Sequence, residues 1–369
     1  MKENLSFVPE FDRSIIALFR NAFKISLHNP PFAAFLLKTI RNQRRACKRR
    51  DKMQQSEGIR IPPFMIASIT RQCNLHCHGC YAKAQHRSVG AAELSVDRMT
   101  ELFKEAGHLG VSIILLAGGE PLMRPELLKI TADFPEIIFP IFTNGLLIDN
   151  EKTAILAKQR HVVPVISLEG LEGQTDGRRG MGVYQHLEAT FAMLRKAGVF
   201  FGTSITLTRE NFATVTSDEF VQHLMSTGIR LVFYVEYIPV QEGTGHLVLT
   251  EEQRRLTQKT LTQSLSKKYP GLFIAFPGDE EQYGGCLAAG RGFVHVSPEG
   301  YVEPCPFAPV SDSGLQGMSL KEALQSDLLR VLRENSDELH DTSGGCALWN
   351  KRDWVQSLVK NSGGKQTVL

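Results

Sequence analysis

From residue 64 onward, short apolar runs rich in β-branched and aromatic residues alternate with segments of helical period. The runs 64–70, 112–118, 139–143, 162–168, 201–207 and 231–238 read as strands. Apolar positions spaced by three and four predict helices near 95–109, 124–134, 150–160, 182–197, 211–226 and 250–268. Gly110, Gly198 and Gly228 stand where helix C-caps are expected. Strands alternating with helices of this length imply right-handed crossovers and a parallel sheet. Six such units predict an α/β fold, a partial (β/α)6 TIM-like barrel, with chemistry at the C-terminal strand ends.

The pattern differs at both ends. The first sixty residues read as amphipathic helices over 14–27 and 32–50, interrupted at Pro30 and Pro31. After residue 270 a hairpin over 293–303, turning at Pro298-Glu299-Gly300, precedes a helix near 319–335 and a Gly-Gly-Cys stretch at 344–346. The expected division is a helical extension over 1–60, the barrel over 61–270, a small α+β domain over 271–358 and a tail over 359–369.

Charge sharpens the picture at the N-terminus only. Residues 1–60 hold 13 Lys/Arg against 5 Asp/Glu, 13 − 5 = +8, so the rest of this +3 chain carries 3 − 8 = −5. The basic excess peaks between Arg41 and Lys52. It fits either a helical hairpin with a solvated basic side or an interfacial helix attracted to anionic lipid. No run approaches the roughly 18–20 apolar residues of a membrane span, and no secretory signal is visible. A cytoplasmic protein is expected, with possible peripheral membrane contact through the basic helices and no nucleic-acid partner.

Seven cysteines are an odd number for a disulfide framework, and three crowd into Cys73-Asn-Leu-His-Cys77-His-Gly-Cys80, just past the first strand. That crowding favours metal ligation over cross-linking. Three thiolates on one loop can converge on an iron–sulfur cubane, which is ordinarily held by four. The missing fourth leaves one iron open to a small molecule. Structural zinc completed by His76 or His78 is the competing reading.

The C-x3-C-x2-C spacing resembles the signature of the radical S-adenosylmethionine (SAM) superfamily. The resemblance implies that the open iron binds SAM, whose reductive cleavage gives a 5′-deoxyadenosyl radical that abstracts hydrogen from a substrate. It also implies an electron donor such as flavodoxin or ferredoxin. Further segments match in order. Gly118-Gly119-Glu120-Pro121 follows strand two, and the resemblance assigns it the SAM amino group, with glycines that let backbone approach a ligand. Asn144 ends strand three, as a turn residue or a cofactor contact. Ser167-Leu-Glu169-Gly170 and Asp176-x-x-Arg179-Gly180 resemble S-x-D-G…D-x-x-R-G, in which Ser167 meets the ribose and Arg179 the SAM carboxylate. Glu169 replaces the commoner Asp, and Arg178 rivals Arg179. Ser204, with Thr206 on the same side, matches a polar contact on strand five, and Ile238 is either an adenine contact or a core residue. The aromatic that the family usually has before the third cysteine is Gly79 here, with Tyr81 following.

Cys286, Cys305 and Cys346, in the contexts Cys286-Leu-Ala-Ala-Gly290, Glu303-Pro-Cys305-Pro-Phe307 and Gly344-Gly345-Cys346, resemble a reduced SPASM or twitch extension. That implies one auxiliary [4Fe–4S] cluster, with an open iron or a fourth ligand such as His340. Cys47 reads as structural or incidental. The whole resemblance spans roughly residues 62–350. It implies hydrogen abstraction from a substrate, a peptide or protein in the leading reading and a small molecule or haem precursor in the second. The rival from another class is a non-catalytic iron–sulfur redox sensor or electron carrier.

Overall fold

The computed structural model describes residues 7–25, 30–85, 92–257, 263–276, 285–339, 346–361 and 365–366. Seven strands form a continuous parallel series: β1 (Phe64–Thr70), β2 (Ile113–Gly118), β3 (Phe139–Thr143), β4 (Val162–Leu168), β5 (Gly202–Leu207), β6 (Leu231–Glu236) and β7 (Leu272–Phe276). The sheet order is β7-β6-β5-β4-β3-β2-β1-β8-β9, where β8 is Phe293–Val296 and β9 is Val302–Glu303. The partial barrel expected from six units is therefore longer. β7 is an apolar run, Leu-Phe-Ile-Ala-Phe, that carries no polar alternation to announce it. β8 lies parallel to β1, with Phe64 opposite Phe293, and β9 returns antiparallel as the hairpin pattern requires. The C-terminal segment thus extends the barrel sheet itself.

The helices end where their caps dictate. Ser95 accepts from the Arg98 amide at the start of Val96–Leu109, and Gly110 closes that helix in left-handed conformation. Ser217 and Gly228 do the same for Asp218–Thr227. The helix expected over 211–226 is split, because Thr216 ends the short Phe212–Val215 turn and Ser217 starts a new helix. Residues 319–335 likewise divide into Leu320–Ala323 and Asp327–Glu334, each with its own serine cap. The tail expected after 358 instead continues a helix to Asn361. A short strand, β11 (Lys365–Gln366), then pairs with β10 (Val310–Ser311).

The N-terminal helices α1 (Phe7–Ile25) and α2 (Pro30–Glu57) form a hairpin against the barrel. Ala22, Phe32 and Leu36 pack in one apolar cluster with Ile138, Val163, Leu231 and Leu272, which begin or precede four of the strands. Phe32 stacks on Phe200, centroids 4.9 Å apart. The hairpin therefore caps the N-terminal end of the barrel, opposite the cysteine loop. Phe32 and Leu36 each stabilise the cap by roughly 1.5–3 kcal/mol, and Ala22 by less. Arg50 is buried against Asp12 at 2.5 Å, pinning the two helices together, whereas Arg41, Arg44, Arg45, Lys48 and Arg49 stay exposed.

Candidate active site at the barrel mouth

The loop leaving β1 carries Cys73, Cys77 and Cys80, all half-buried and all lining one cavity at the C-terminal strand ends. Gly118, Gly119, Asn144, Ser167, Arg179 and Ser204 line the same cavity. Ser167 and Ser204 are register partners on β4 and β5. Glu120 and Pro121 are buried just behind this lining. The arrangement brings the first cysteine trio and the dispersed polar residues to one mouth, as parallel strands of common polarity must.

The two glycines serve the loop itself. A Cβ on Gly119 would stand 2.2 Å from the Gln72 carbonyl oxygen, and one on Gly118 2.6 Å from that of Thr70. Gly119 donates its amide to Thr70 O at 2.7 Å, and Glu120 donates to Gln72 O at 2.7 Å. Thus the close approach expected toward a ligand is first an approach of backbone to the cysteine loop. Glu120 is fully buried and accepts from the Leu122 amide (3.0 Å), the Thr143 hydroxyl (2.7 Å) and the Asn144 amide (2.7 Å). Burial raises its carboxyl above the usual range, and those three donors work the other way. A carboxylate has about four acceptor positions, so one remains for an ammonium group. Asn144 in turn donates to Asn74 Oδ1 at 2.6 Å and lies 3.9 Å from the Cys73 sulfur.

Glu169 sits buried between two guanidiniums. Arg179 donates to its Oε1 through Nε (2.9 Å) and Nη2 (2.5 Å), and Arg178 Nη1 lies 2.7 Å from Oε2. The latter contact lacks hydrogen-bond alignment. Arg179 Nη1 reaches within 4.0 Å of the Cys77 sulfur. Asp176 has a structural task, accepting from the Gly182 and Tyr184 amides.

Tyr237, just past β6, was not singled out by the sequence. Its ring fills the space beside Gly79, where a Cβ would come within 2.7 Å of the Tyr237 hydroxyl. An aromatic does stand beside the third cysteine, but it is supplied by another strand. The Tyr237 hydroxyl is buried with no hydrogen-bond partner among the described residues, and the side chain lines the cavity. The signal available was its place between Glu236 and Ile238 at a strand end. Thr206 and Ile238 line the cavity as well.

Cys286, Cys305 and Cys346 are buried in the C-terminal region. The Cys286 turn is tied to the Cys305 strand by a 3.1 Å bond from the Ala289 amide to Pro304 O, and Cys346 precedes the helix Ala347–Asn350. Tyr81 bridges the two cysteine regions: its phenol, pushed up by burial, feels both Cys80 and Cys305, and its ring lies 5.1 Å from Phe307. His340, Gly344 and Gly345 lie outside the described residues. Arg71, two residues before Cys73, pairs with Glu299 in the β8–β9 turn at 2.7 Å.

Among the described residues no three His, Cys, Asp or Glu side chains are grouped to hold a metal ion; what suits an iron–sulfur cluster is the chemistry of three thiols lining one cavity. Burial pushes the Cys73 thiol up, and the Cys77 and Cys80 sulfurs push further; burial likewise raises Cys77, although Arg179 opposes. Bare thiolates are disfavoured there, and a cationic cluster iron reverses that balance. An orphaned hydroxyl, two serines and two arginines around the same space suit a polar cofactor that carries a carboxylate.

Comparison with known proteins agrees. Residues 67–220 match the family profile of the radical SAM superfamily. Residues 67–220 form a radical SAM domain. Among its relatives, the AdoMet-dependent heme synthase of Methanosarcina barkeri is 28% identical over 311 residues, 77% of this chain and 88% of that protein. The mycofactocin maturase MftC of Mycobacterium tuberculosis is 28% identical over 300 residues, 76% and 75% of the two chains. Streptococcus suis SuiB bound to precursor peptide SuiA shares the fold with a TM-score of 0.61 at 18% identity, covering 85% of this chain and 75% of SuiB. This radical SAM enzyme uses SAM and a [4Fe–4S] cluster, as its superfamily does. Among the described residues, no helix is long and apolar enough to cross a membrane.

Proposed function

We propose that this radical SAM enzyme abstracts hydrogen from a peptide substrate, with Cys73, Cys77 and Cys80 as cluster ligands. The observation that carries the cofactor assignment is the convergence of those three thiols with the Asn144, Ser167, Arg179 and Ser204 side chains on one cavity mouth, with Glu120 held directly behind it by the Asn144 amide. When bound, the cluster and SAM supply one-electron cleavage to a carbon radical. Glu120 offers its remaining acceptor position to the SAM ammonium group. Arg179 and Arg178, fixed by Glu169, offer their outer N–H groups to its carboxylate. Tyr237 closes the aromatic side of the nucleoside pocket. We assign Cys286, Cys305 and Cys346 to one auxiliary cluster, and the divisions near residues 60 and 270 to functional units; the boundary expected at 358 falls inside the helix Arg352–Asn361. A peptide substrate is supported by MftC and by SuiB with its precursor peptide. A small-molecule substrate is the second reading, favoured by the heme synthase's coverage and by a cavity that continues into the barrel.

Anaerobically reconstituted, dithionite-reduced protein should release 5′-deoxyadenosine from SAM, and a short precursor peptide encoded beside the gene should raise that release. Cys305→Ala should spare part of it. Full release by Cys77→Ala would defeat the assignment of the cluster.

A further inference from the structure

The cavity does not stop at the cysteine loop. Its lining runs down the barrel lumen to the α1–α2 hairpin, and it encloses about 550 Å³. The walls invert the ordinary burial pattern. On β2, Ile114 and Leu116 face the helices and are fully buried, while Ile113 and Leu115 face the lumen and remain partly exposed. On β6, likewise, Val232 and Tyr234 are buried, while Phe233 and Val235 line the cavity and remain partly exposed. Closed barrels fill this space with layers of their own side chains. Here apolar side chains of several strands face empty volume, which costs free energy in water in proportion to their exposed area. An apolar guest removes that cost.

The lower end carries one charge. Arg160, immediately before β4, lines the cavity, is half-buried, and has no ion pair or hydrogen bond among the described residues. Next to it, burial lowers the proton affinity of His161, whose ring meets the Thr131 carbonyl oxygen at 2.8 Å, with Glu136 and Lys38 of α2 also within electrostatic reach. From Arg160 to the mouth the lumen follows the length of β4, seven residues, or roughly 20 Å.

We propose that this lumen binds an aliphatic chain ending in a single anionic group, with the head on Arg160 and the tail rising toward the cysteine loop. As a substrate site it rests on the small-molecule reading above, because it places a saturated carbon chain beneath the position where hydrogen is abstracted. As a binding site it stands on the lumen alone.

The test is calorimetry of the full reconstituted chain with dodecanoate and with dodecyl phosphate, below their micelle-forming concentrations and without vesicles. The expected result is saturable binding that tightens about fourfold per methylene from octanoate upward. Dodecanol should bind roughly tenfold more weakly than the better anion, and Arg160→Gln should erase that difference. The preferred anion tells a carboxylate head from a phosphate head. Leu115→Trp, which fills the lumen, should abolish binding while keeping a cooperative melt; Ile113→Phe provides the same test with less added volume. Absence of saturable binding, or binding untouched by both lumen variants, overturns the proposal. 5′-Deoxyadenosine release by the same preparation separates the two claims. Release without chain binding sinks the lumen site alone, and chain binding without release sinks the radical assignment while leaving the lumen site standing.

Discussion

Replacing Glu169 with Gln removes the one carboxylate that holds both mouth arginines. The side chain is 2% exposed, and its partners Arg178 and Arg179 are 17% and 11% exposed. Stranding a charge in a buried pair costs about 3–5 kcal/mol, because the partner loses its counter-ion without regaining water. The partial exposure of both guanidiniums places the expected loss near the lower bound, about 3 kcal/mol. For a chain of this size that corresponds to a fall in melting temperature of about 4 °C. Function should suffer as well, since Arg179 would no longer be fixed within 4.0 Å of the Cys77 sulfur. SAM binding by the reduced holoprotein, followed anaerobically by equilibrium dialysis, should weaken about tenfold, the worth of one charge-assisted hydrogen bond. Glu169→Asp keeps the charge but shortens the side chain by about 1.5 Å, so it should recover most of the melting temperature and part of the affinity. A Gln variant that melts and binds SAM like the native chain would refute the claim that Glu169 positions the arginines.

Other consequences are as direct. Gly119→Ala places a methyl against the Gln72 and Arg71 carbonyl oxygens, at 2.2 and 2.7 Å before relaxation; backbone must move, so iron content after reconstitution should fall well below native, and native loading with an unchanged melt would contradict this. Tyr237→Leu empties the space beside Gly79 and should raise the SAM dissociation constant several-fold, whereas Tyr237→Phe, keeping the ring, should change it little. Cys47 donates to Asp12 Oδ2 at 3.1 Å, and burial, with that hydrogen bond, pushes its thiol up to about 12. At pH 9 its thiolate fraction is then on the order of 10⁻³, against most of a free thiol near pKa 8.5, so peptide mapping after iodoacetamide should find Cys47 largely unmodified in the folded chain. The sign for stability follows: the neutral-thiol contribution is complete below the unfolded value near 8.5 and is lost as pH rises from there toward about 12.

The βα rhythm and the first cysteine trio were legible because both are local: periodicity and spacing survive in a single stretch of chain. All six anticipated strands moved by at most two residues or kept their bounds, as β1, β3 and β4 did. What escaped depends on contacts between distant segments. β7 is apolar on both faces, so nothing in its own pattern separates it from a buried helix turn. Tyr237 matters only because Gly79, far away in sequence, leaves room for it. The glycines of 118–119 pointed correctly to close approach, but their partner is the carbonyl edge of the cysteine loop. The hairpin's place under the barrel follows from complementarity between Phe32 or Leu36 and the strand starts, which no amphipathic stripe specifies alone. The membrane-surface reading of its basic side makes a separate prediction: binding to anionic vesicles that exceeds binding to neutral ones and falls as salt rises.

The central claim is that the loop after β1 holds a cluster with one iron open to SAM. Electron paramagnetic resonance of the anaerobically reduced chain, recorded with and without SAM, tests it most directly. The expected result is a [4Fe–4S] signal whose g-values shift on adding SAM, with the SAM-sensitive component lost when Cys73, Cys77 and Cys80 are all replaced by Ala. A SAM-sensitive signal of native intensity in that triple variant would contradict the account.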